Sequence, residues 1–340
     1  MLNTALINLK TLTENAETVK SKLNKGVKMC AVVKANAYGH GAPHIAAALY
    51  KVADCFAVAL LEEGVELRLS GIDKQILCLI PFSDGELNSA VFYDLTATVT
   101  EKSQVKKLNA AAKAQNKKVK VHIKFNTGMN RQGVDGIKAL NELIREILKS
   151  EFLILDGLYS HLACPKNKKK LNMQLNKFLL ANNLIKSYNN NVTCHISASG
   201  GFLMGAQFDM VRIGLLLYGY KPFKSDLVSV SPVMKVYSNV ISTRTIKKGQ
   251  SALYGVCKAD SDVNLALVRY GYADGLFRKQ SCGQFNNRCM DLTYLLGEYK
   301  KGELVPIMTD ADLLAKKYST ISYEVLTKSA LRAEKIYTFD

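Results

Sequence analysis

The chain has 340 residues, of which 48% are hydrophobic and 22% are charged, so it can bury a sizeable core, and its length favours two domains. The formal net charge is +17, but the lysines are spread along the whole chain rather than gathered in one arm, which does not favour nucleic-acid binding. The absence of a membrane-length apolar segment, a signal-peptide pattern and a CxxC motif predicts a cytoplasmic protein without membrane, disulfide or metal partners.

Eight apolar, β-branched runs follow one another through the first two thirds of the chain. They occupy residues 29–33, 56–61, 76–80, 96–100, 119–124, 153–160, 192–196 and 210–217. Segments with helical spacing lie between them, at residues 43–50, 62–70, 103–115, 135–148 and 171–187. Repeated alternation of this kind predicts a (β/α)8 barrel, with a doubly wound open sheet as the alternative that the pattern alone leaves open.

The pattern changes after Gly219. Apolar runs at residues 233–241, 265–270 and 304–307 alternate with Lys-Lys-Gly turns, and only residues 311–317 have helical spacing. The sequence therefore predicts an α/β protein with an N-terminal (β/α)8 TIM-type barrel in residues 10–222. A mainly antiparallel β domain is predicted in residues 223–340.

Lys34 ends the first buried run and is followed by a glycine-containing turn with Tyr38. A lysine at the carboxyl end of a parallel strand can be partly desolvated, which lowers the pKa of its amine and makes it a nucleophile toward aldehydes. A lysine whose amine simply extends into water is the alternative for this segment taken alone.

Other polar residues lie where later runs end. Active sites of such barrels are built at the carboxyl ends of the strands, so these residues are expected around one pocket. They are Lys124 with Arg131 close behind it, His161, Ser199 and Arg212, together with Leu79. Two lysines, two arginines and a hydroxyl favour an anionic ligand, and the glycines of residues 199–201 and 213–215 allow backbone N–H groups to approach a phosphate.

Nine motifs resemble those of the alanine racemase family, in the family's order and across essentially the whole chain. They are KANAYGHG (34–41), HIKFNTGMNRQG (122–133), YSHLA (159–163), HISASGG (195–201), MVRIGLLLYG (210–219), YGVCKA (254–259), GYADGLFR (271–278), RCMD (288–291) and TISYEVLT (320–327). The resemblance implies a fold type III enzyme that uses pyridoxal 5'-phosphate (PLP). It also implies an N-terminal strand within residues 1–9 that joins the β domain, and a head-to-tail homodimer with shared active sites.

The resemblance assigns roles to individual residues. Lys34 would bind PLP covalently, and Arg212 would face its pyridine nitrogen. An arginine rarely gives up its proton, so this nitrogen would stay unprotonated and the ring would be a weaker electron sink, which favours racemisation over transamination. The other residues implied to bind the cofactor are Tyr38, Leu79, Arg131, His161, Ser199, Gly214, Leu215 and Tyr323.

The family's reaction uses two bases on opposite faces of the substrate. Here they would be Lys34 and Tyr254 of the partner subunit, with a hydrogen-bond chain from the tyrosine through His161 to Arg212. Met290 and Asp291 would bind the substrate, Arg131 would assist, and Lys124 is a possible carbamylated lysine. The implied activity interconverts L- and D-alanine and supplies D-alanine for peptidoglycan.

Several positions depart from the family pattern, and the segment before Cys289 lacks the family's usual glycine. Asn126 replaces an aspartate, Gln132 replaces a leucine, and Lys335 replaces an arginine near the end. The first two weaken the expectation that Lys124 is carbamylated. A racemase for serine or for many amino acids is the main alternative, although Tyr323 favours a small substrate side chain. A non-catalytic PLP-binding barrel would lack the second domain, and the cysteine-aspartate signature of a related decarboxylase does not occur.

Overall fold

The computed structural model describes residues 3–251, 258–275, 278 and 288–339. In this part of the chain the strands are β1 (Thr4–Asn8), β2 (Lys28–Val32), β3 (Cys55–Val58), β4 (Ile76–Cys78), β5 (Ala97–Val99), β6 (Val119–Lys124), β7 (Leu153–Tyr159), β8 (Thr193–His195), β9 (Met210–Ile213), β10 (Met234–Ile246), β11 (Val263–Val268), β12 (Thr293–Leu296), β13 (Leu304–Met308) and β14 (Glu334–Thr338). The helical segments are α1 (Leu9–Lys20), α2 (Lys34–Tyr38), α3 (Ala42–Leu49), α4 (Leu61–Leu69), α5 (Leu87–Phe92), α6 (Lys102–Ala114), α7 (Ile137–Leu148), α8 (Lys168–Tyr188), α9 (Ser199–Leu203), α10 (Ala311–Tyr318) and α11 (Ser322–Ser329).

Strands β2 to β9 form a closed parallel barrel. They pair in two four-stranded sheets, with the orders β4-β3-β2-β9 and β5-β6-β7-β8. Two parallel bridges, Leu77 to Thr96 and Ala198 to Arg212, join the edges of these sheets, and the amide of Arg212 donates to the carbonyl of Ser197 over 3.0 Å. The predicted (β/α)8 barrel is therefore confirmed, and the open-sheet alternative is wrong.

The barrel strands have the apolar character that parallel strands need. Every residue of β3, β4, β5 and β9 is buried, because helices cover the outer face and side chains fill the inside. The covering helices show the matching pattern. In α7 the buried residues are Leu140, Leu143, Ile144 and Ile147, a spacing that places them on one face.

The predicted barrel strands agree with the structure to within two residues except at two ends. The run predicted at residues 56–61 stops at Val58, and α4 begins at Leu61. The run predicted at residues 210–217 is extended only to Ile213, because the chain then turns and the amide of Leu217 donates to the carbonyl of Gly214 over 2.8 Å.

Five helical segments were not predicted from the sequence, namely the short α2, α5 and α9 and the longer α1 and α11. Helix α1 buries Leu12, Ala16 and Val19 on one face, but its polar residues hide that spacing. The expectation that only residues 311–317 are helical in the C-terminal part is wrong, because α11 follows α10 closely. Ser319, with φ 54°, makes the left-handed turn that separates these two helices.

The chain forms two compact units. One contains Leu12–Ala37 and Ala42–Ser231, which include the barrel, and the other contains Met1–Thr11, Tyr38–Gly41 and Pro232–Asp340. The second unit is a sheet of order β12-β11-β10-β1-β14, with β13 paired to β10. Strand β1 pairs antiparallel with β10 and parallel with β14. The domain boundary predicted after residue 222 stays a prediction.

No helix in the described part of the chain is both long enough and apolar enough to cross a membrane.

Candidate active site

The segment that follows β2 is a left-handed turn. Lys34 opens it, and Ala35, Asn36 and Ala37 all have φ near +52°. For residues other than glycine this conformation costs roughly 1–2 kcal/mol each. Strain of this size persists only where the surrounding structure imposes it, and such places are often functional sites.

Hydrogen bonds from the same unit hold this turn. The carboxylate of Glu63 accepts the amide of Ala35 over 2.5 Å, and the side chain of Asn36 accepts the amide of Ala42, where α3 begins, over 2.7 Å. The amide of Ala37 donates back to the end of the strand. The backbone around Lys34 is therefore fixed on both sides, at the carboxyl end of β2.

Four cationic side chains at this end of the barrel act on one another. Burial lowers the pKa of Lys34, and the charges of Arg131 and Arg212 lower it further, while Glu63 opposes them. Burial and then Arg131, Arg212 and Lys34 lower the pKa of Lys124 to about 8. Mutual repulsion of this kind is relieved when an anion enters, so the electrostatics favour an anionic ligand.

Tyr159, the last residue of β7, lies between two of these cations. The Lys124 Nζ atom is 5.3 Å and the Arg212 Cζ atom 5.2 Å from the centroid of its ring. Its hydroxyl donates to the carbonyl of Leu79 over 3.0 Å. Burial raises the pKa of Tyr159 to about 12, so its hydroxyl stays protonated near neutral pH. Tyr159 was not among the residues predicted from the sequence, although it lies within the YSHLA motif.

Arg212 is the most enclosed of the cations, with 3% of its surface exposed. Its terminal nitrogens lie 2.7 Å from the carbonyl of Ser160, 3.1 Å from that of Ile196, 2.5 Å from His195 Nδ1 and 3.5 Å from His161 Nδ1. Burial lowers the pKa of Arg212 to about 10, so it remains a cation at neutral pH. Burial and the neighbouring cations, Arg212 first, lower the pKa of His161 to about 3, so its imidazole is neutral.

The residues predicted around a phosphate fall into two groups. In the barrel unit the hydroxyl of Ser199 accepts the amide of Gly214 over 3.3 Å, and Leu215 follows directly and is buried. In the other unit the rings of Tyr38 and Tyr323 lie 5.8 Å apart between centroids. Burial raises the pKa of both phenols, so both are donors.

The loop after β6 accounts for two departures from the family pattern. Lys124 donates to the side-chain oxygen of Gln132 over 3.0 Å. The side-chain oxygen of Asn126 accepts the amides of Gly128 and Asn130 over 3.0 and 3.1 Å. Asparagine thus shapes the turn that leads to Arg131 as an aspartate would, and the glutamine gives the lysine a neutral partner.

The turn that contains Met290 and Asp291 lies in the second unit. Arg332 holds it, donating to Asp291 over 2.9 Å while two of its nitrogens donate to the two carboxylate oxygens of the buried Asp274 over 2.9 and 2.8 Å. The turn was predicted from the sequence, but its contacts with Arg332 were not. Tyr254, predicted as the second base, lies outside the described residues.

These features together define a class of protein. A lysine of lowered pKa and a buried arginine at the carboxyl ends of the strands of a (β/α)8 barrel are typical of an enzyme that binds an anionic cofactor or substrate. The described residues contain no group of three or more histidine, cysteine, aspartate or glutamate side chains that could hold a metal ion.

Comparison with known proteins gives the family. The model of the alanine racemase N-terminal domain matches residues 7–222, and that of the alanine racemase C-terminal domain matches residues 233–337. The alanine racemase of Treponema denticola is 37% identical over 290 residues, which cover 82% of this chain and 76% of the relative. The chain belongs to the alanine racemase family.

Solved structures agree with this assignment. The alanine racemase of Clostridium difficile 630 superposes with a TM-score of 0.94 at 30% identity, covering 99% of this chain and 96% of that one. The alanine racemase of Bartonella henselae, solved with covalently bound pyridoxal phosphate, has a TM-score of 0.87 at 26% identity and covers 99% of this chain and 100% of its own.

Proposed function

We propose that this protein is a PLP-dependent racemase that interconverts L-alanine and D-alanine. The observation that carries the proposal is the group of Lys34, Lys124, Arg131 and Arg212 at one end of the barrel, where the two arginines lower the pKa of both lysines. Membership of the alanine racemase family supports the same activity.

The residues present fit the cofactor. PLP carries an aldehyde, a phosphate and a phenolic oxygen, and the last two are anionic. A lysine of lowered pKa can react with the aldehyde, and the surrounding cations compensate the negative charges. Lys34 would hold the aldehyde carbon and Arg131 the phenolic oxygen. The remaining residues that would surround the cofactor are Tyr38, Leu79, His161, Ser199, Arg212, Gly214, Leu215 and Tyr323.

When bound, the cofactor withdraws electrons from the substrate and so makes the proton on Cα acidic. Arg212 would face the pyridine nitrogen as a donor that keeps its own proton, since its pKa is about 10. This limits the electron withdrawal and favours return of the proton to Cα, as racemisation requires. His161, which is neutral and 3.5 Å from Arg212, can accept a hydrogen bond from the arginine.

Inversion at Cα needs a base on each face. The amine of Lys34 takes or returns the proton on one face, and its lowered pKa leaves more of the amine unprotonated than in a free lysine. Tyr254 of the partner subunit serves the other face. The active enzyme is therefore a head-to-tail homodimer, in which each barrel receives its second base from the other chain.

Substrate binding also uses both chains. Met290 and Asp291 of one subunit bind the substrate in the other, where Arg131 assists. Arg332 supports this arrangement, because its hydrogen bonds to Asp274 and Asp291 fix the turn. Alanine is favoured over serine and larger amino acids because Tyr323 restricts the space for a side chain, and the D-alanine formed would enter peptidoglycan.

Lys124 is proposed to carry a carbamate. Carbon dioxide reacts only with an unprotonated amine, and a pKa of about 8 leaves an appreciable fraction of this amine unprotonated at neutral pH. The negative charge of a carbamate would then offset Arg131, Lys34 and Arg212.

Two measurements test the proposed function. The purified protein with PLP is reduced with borohydride and digested, and mass spectrometry should find the cofactor attached to the peptide that contains Lys34. A chiral assay with alanine, serine, lysine and arginine should show the fastest racemisation for alanine. Attachment at another lysine would contradict the role of Lys34, and faster racemisation of serine or arginine would contradict the proposed substrate.

A further inference from the structure

A chain of hydrogen bonds crosses the barrel from Asp156 to Arg212. The Oδ2 atom of Asp156 lies 2.9 Å from His122 Nε2. His122 Nδ1 lies 2.9 Å from His195 Nε2, and His195 Nδ1 lies 2.5 Å from a terminal nitrogen of Arg212. Four barrel strands, β6 to β9, thus contribute one side chain each.

Arg212 at one end and the carboxylate of Asp156 at the other fix which atom donates in each of these hydrogen bonds. Arginine can only donate, so His195 Nδ1 must accept and the proton of that ring lies on Nε2. That proton is donated to His122 Nδ1, which places the proton of His122 on Nε2, facing the carboxylate of Asp156. Both imidazoles are consequently neutral and in the same tautomer.

The barrel is shaped around the two imidazoles. His122 and His195 are 2% and 0% exposed, and the ring of Tyr159 stacks on His195 with a centroid distance of 5.1 Å and an angle of 4°. A Cβ atom on Gly157 would lie 2.3 Å from the ring of His122, closer than any real contact. Glycine at this position therefore makes room for the imidazole.

The carboxylate at the outer end is itself held in place. Gln75 donates to the same Oδ2 atom of Asp156 over 2.6 Å. Within the described residues no carboxylate oxygen lies within 4.0 Å of the Arg212 guanidinium. The hydrogen bonds through the two histidines are therefore its link to a negative charge.

We propose that Asp156 is a positioning residue for Arg212, because it fixes both histidines in the tautomer that presents a lone pair to the guanidinium. Without the carboxylate, His122 can carry its proton on Nδ1 instead. His195 must then place its own proton on Nδ1, where it meets an N–H group of Arg212. Two donors repel, so the arginine leaves its position.

The consequence for the reaction rests on the proposed function, in which Arg212 faces the pyridine nitrogen. A displaced arginine no longer holds that nitrogen unprotonated, and the ring becomes a stronger electron sink. Protonation of the cofactor carbon then competes with protonation of Cα. Loss of Asp156 should therefore raise transamination relative to racemisation, rather than slow both equally.

The test compares Asp156→Ala and Asp156→Ser, which remove the carboxylate, with Asp156→Asn, whose amide oxygen can still accept from His122 and Gln75. Asp209→Asn is the matched control, because Asp209 is also a barrel carboxylate and accepts the amide of Cys194 over 2.8 Å without touching the histidine chain. Nitrogen-15 NMR of the protein's five histidine rings reports the tautomer of each ring, in protein with and without PLP.

The resonances of His122 and His195 are identified as those missing from His122→Gln and His195→Gln. Both rings should be in the Nε2–H tautomer in the wild type, in Asp156→Asn and in Asp209→Asn. Asp156→Ala should lose this state at both positions. The fraction of PLP converted to its amine form per alanine racemised should rise about tenfold in this variant and change less than twofold in Asp156→Asn. If Asp156→Ala does not fold, Asp156→Ser serves for the same comparison, since its hydroxyl can donate to His122.

Unchanged tautomers in whichever of these two variants folds would overturn the proposal, as would changed tautomers with an unchanged ratio of transamination to racemisation. Failure of the proposed function has a different signature. A wild-type protein that does not racemise alanine would refute the racemase assignment, while the tautomers of the PLP-free protein would still decide whether Asp156 orders the histidines.

Discussion

Lys34 and Arg212 lie at the same end of the barrel but are held in different ways. Lys34 is fixed through its backbone, by a left-handed turn whose hydrogen bonds come from Glu63 and Asn36. Arg212 is fixed through its side chain, by acceptors on Ser160, His195 and Ile196. Among the described residues no hydrogen bond holds the Lys34 amine, whereas the guanidinium is held at several points.

The two arrangements suit two tasks. A base that transfers protons must move between its bonding partners, so a fixed backbone with a free side chain serves it. A residue that controls an electron sink must stay in one place, and the planar fork of arginine with several acceptors provides this. Substitutions at the lysine should therefore remove a chemical step, whereas substitutions at the arginine should change which reaction takes place.

The largest effect is expected for Lys34→Ala. Because this amine is proposed to bind the cofactor and to transfer a proton, alanine racemisation should fall by at least about 10³-fold. Lys28→Ala is the matched control, since Lys28 is the exposed first residue of the same strand, and it should retain full activity. A Lys34→Ala protein that keeps more than about a tenth of the activity would refute both roles of this lysine.

A smaller but more selective effect is expected for Arg212→Lys. One ammonium group cannot reach both His195 and the buried carbonyls that the guanidinium reaches, so the free energy of unfolding should fall by about 2–4 kcal/mol. Racemisation should fall about 10²-fold, while formation of the amine form of PLP rises relative to it.

Arg145→Lys is the control for this variant. Arg145 is exposed and donates through one nitrogen to Tyr188 over 3.1 Å, so this change should cost less than about 1 kcal/mol. Denaturant unfolding and absorbance of the two cofactor forms measure these outcomes. An Arg212→Lys enzyme with an unchanged ratio of the two reactions would show that the arginine binds the cofactor without controlling its reactivity.

The contrast between a backbone-held lysine and a side-chain-held arginine also explains which features of the site could be predicted from the sequence. Lys34 was predictable because it ends an apolar run within a recognisable motif, and all eight barrel strands were predictable from their apolar runs. The left-handed turn was not, because alanine and asparagine at residues 35–37 carry no glycine signal for positive φ. A backbone conformation imposed by distant groups such as Glu63 leaves no local pattern.

The surroundings of Arg212 were still harder to predict from the sequence. The arginine itself was predicted from its place in the MVRIG motif, and His161 was predicted beside it. The other members of its hydrogen-bond chain, His195, His122 and Asp156, lie 17 to 90 positions away and look like ordinary strand residues. Their relation depends on the closure of the barrel, which brings β6, β7, β8 and β9 side by side. Hydrogen bonds between residues distant in sequence cannot be predicted from spacing alone.

A third prediction concerns Lys124, whose neighbours include Lys34 and Arg212. The pKa of this amine is about 8. As the pH rises from 6.5 toward that value, the unprotonated fraction increases, and carbamate formation should increase with it. With ¹³C-labelled bicarbonate, NMR should show a carbamate signal that grows over this range and is absent from Lys124→Met. The exposed Lys102, which pairs with Glu142 over 2.7 Å, provides the control variant Lys102→Met, in which the signal should persist.

Loss of the carbamate should reduce activity about tenfold, because Arg131 loses a negative partner but remains in the site. A wild-type protein without the ¹³C signal at any pH would leave the side-chain oxygen of Gln132 as the hydrogen-bond acceptor for Lys124. The contact of 3.0 Å between them would then be the working arrangement of this site, and the proposal of a carbamate would be wrong.

The smallest effect is expected for Glu63→Gln, which addresses the backbone support of Lys34. The two carboxylate oxygens of Glu63 accept the amides of Ala35, Ala59 and Leu60. A glutamine has one acceptor oxygen, so at least one amide loses its partner and the free energy of unfolding should fall by about 1–2 kcal/mol. Glu62→Gln, an exposed change in the same turn of α4, should cost less than about 0.5 kcal/mol.

The decisive readout for Glu63→Gln is the lysine rather than stability alone. If the turn positions Lys34, the rate at which PLP attaches to the protein should fall several-fold, while the ratio of transamination to racemisation stays at the wild-type value. A change in that ratio would mean that the turn and the histidine chain act on the same step, and the distinction between a backbone-held base and a side-chain-held arginine would fail.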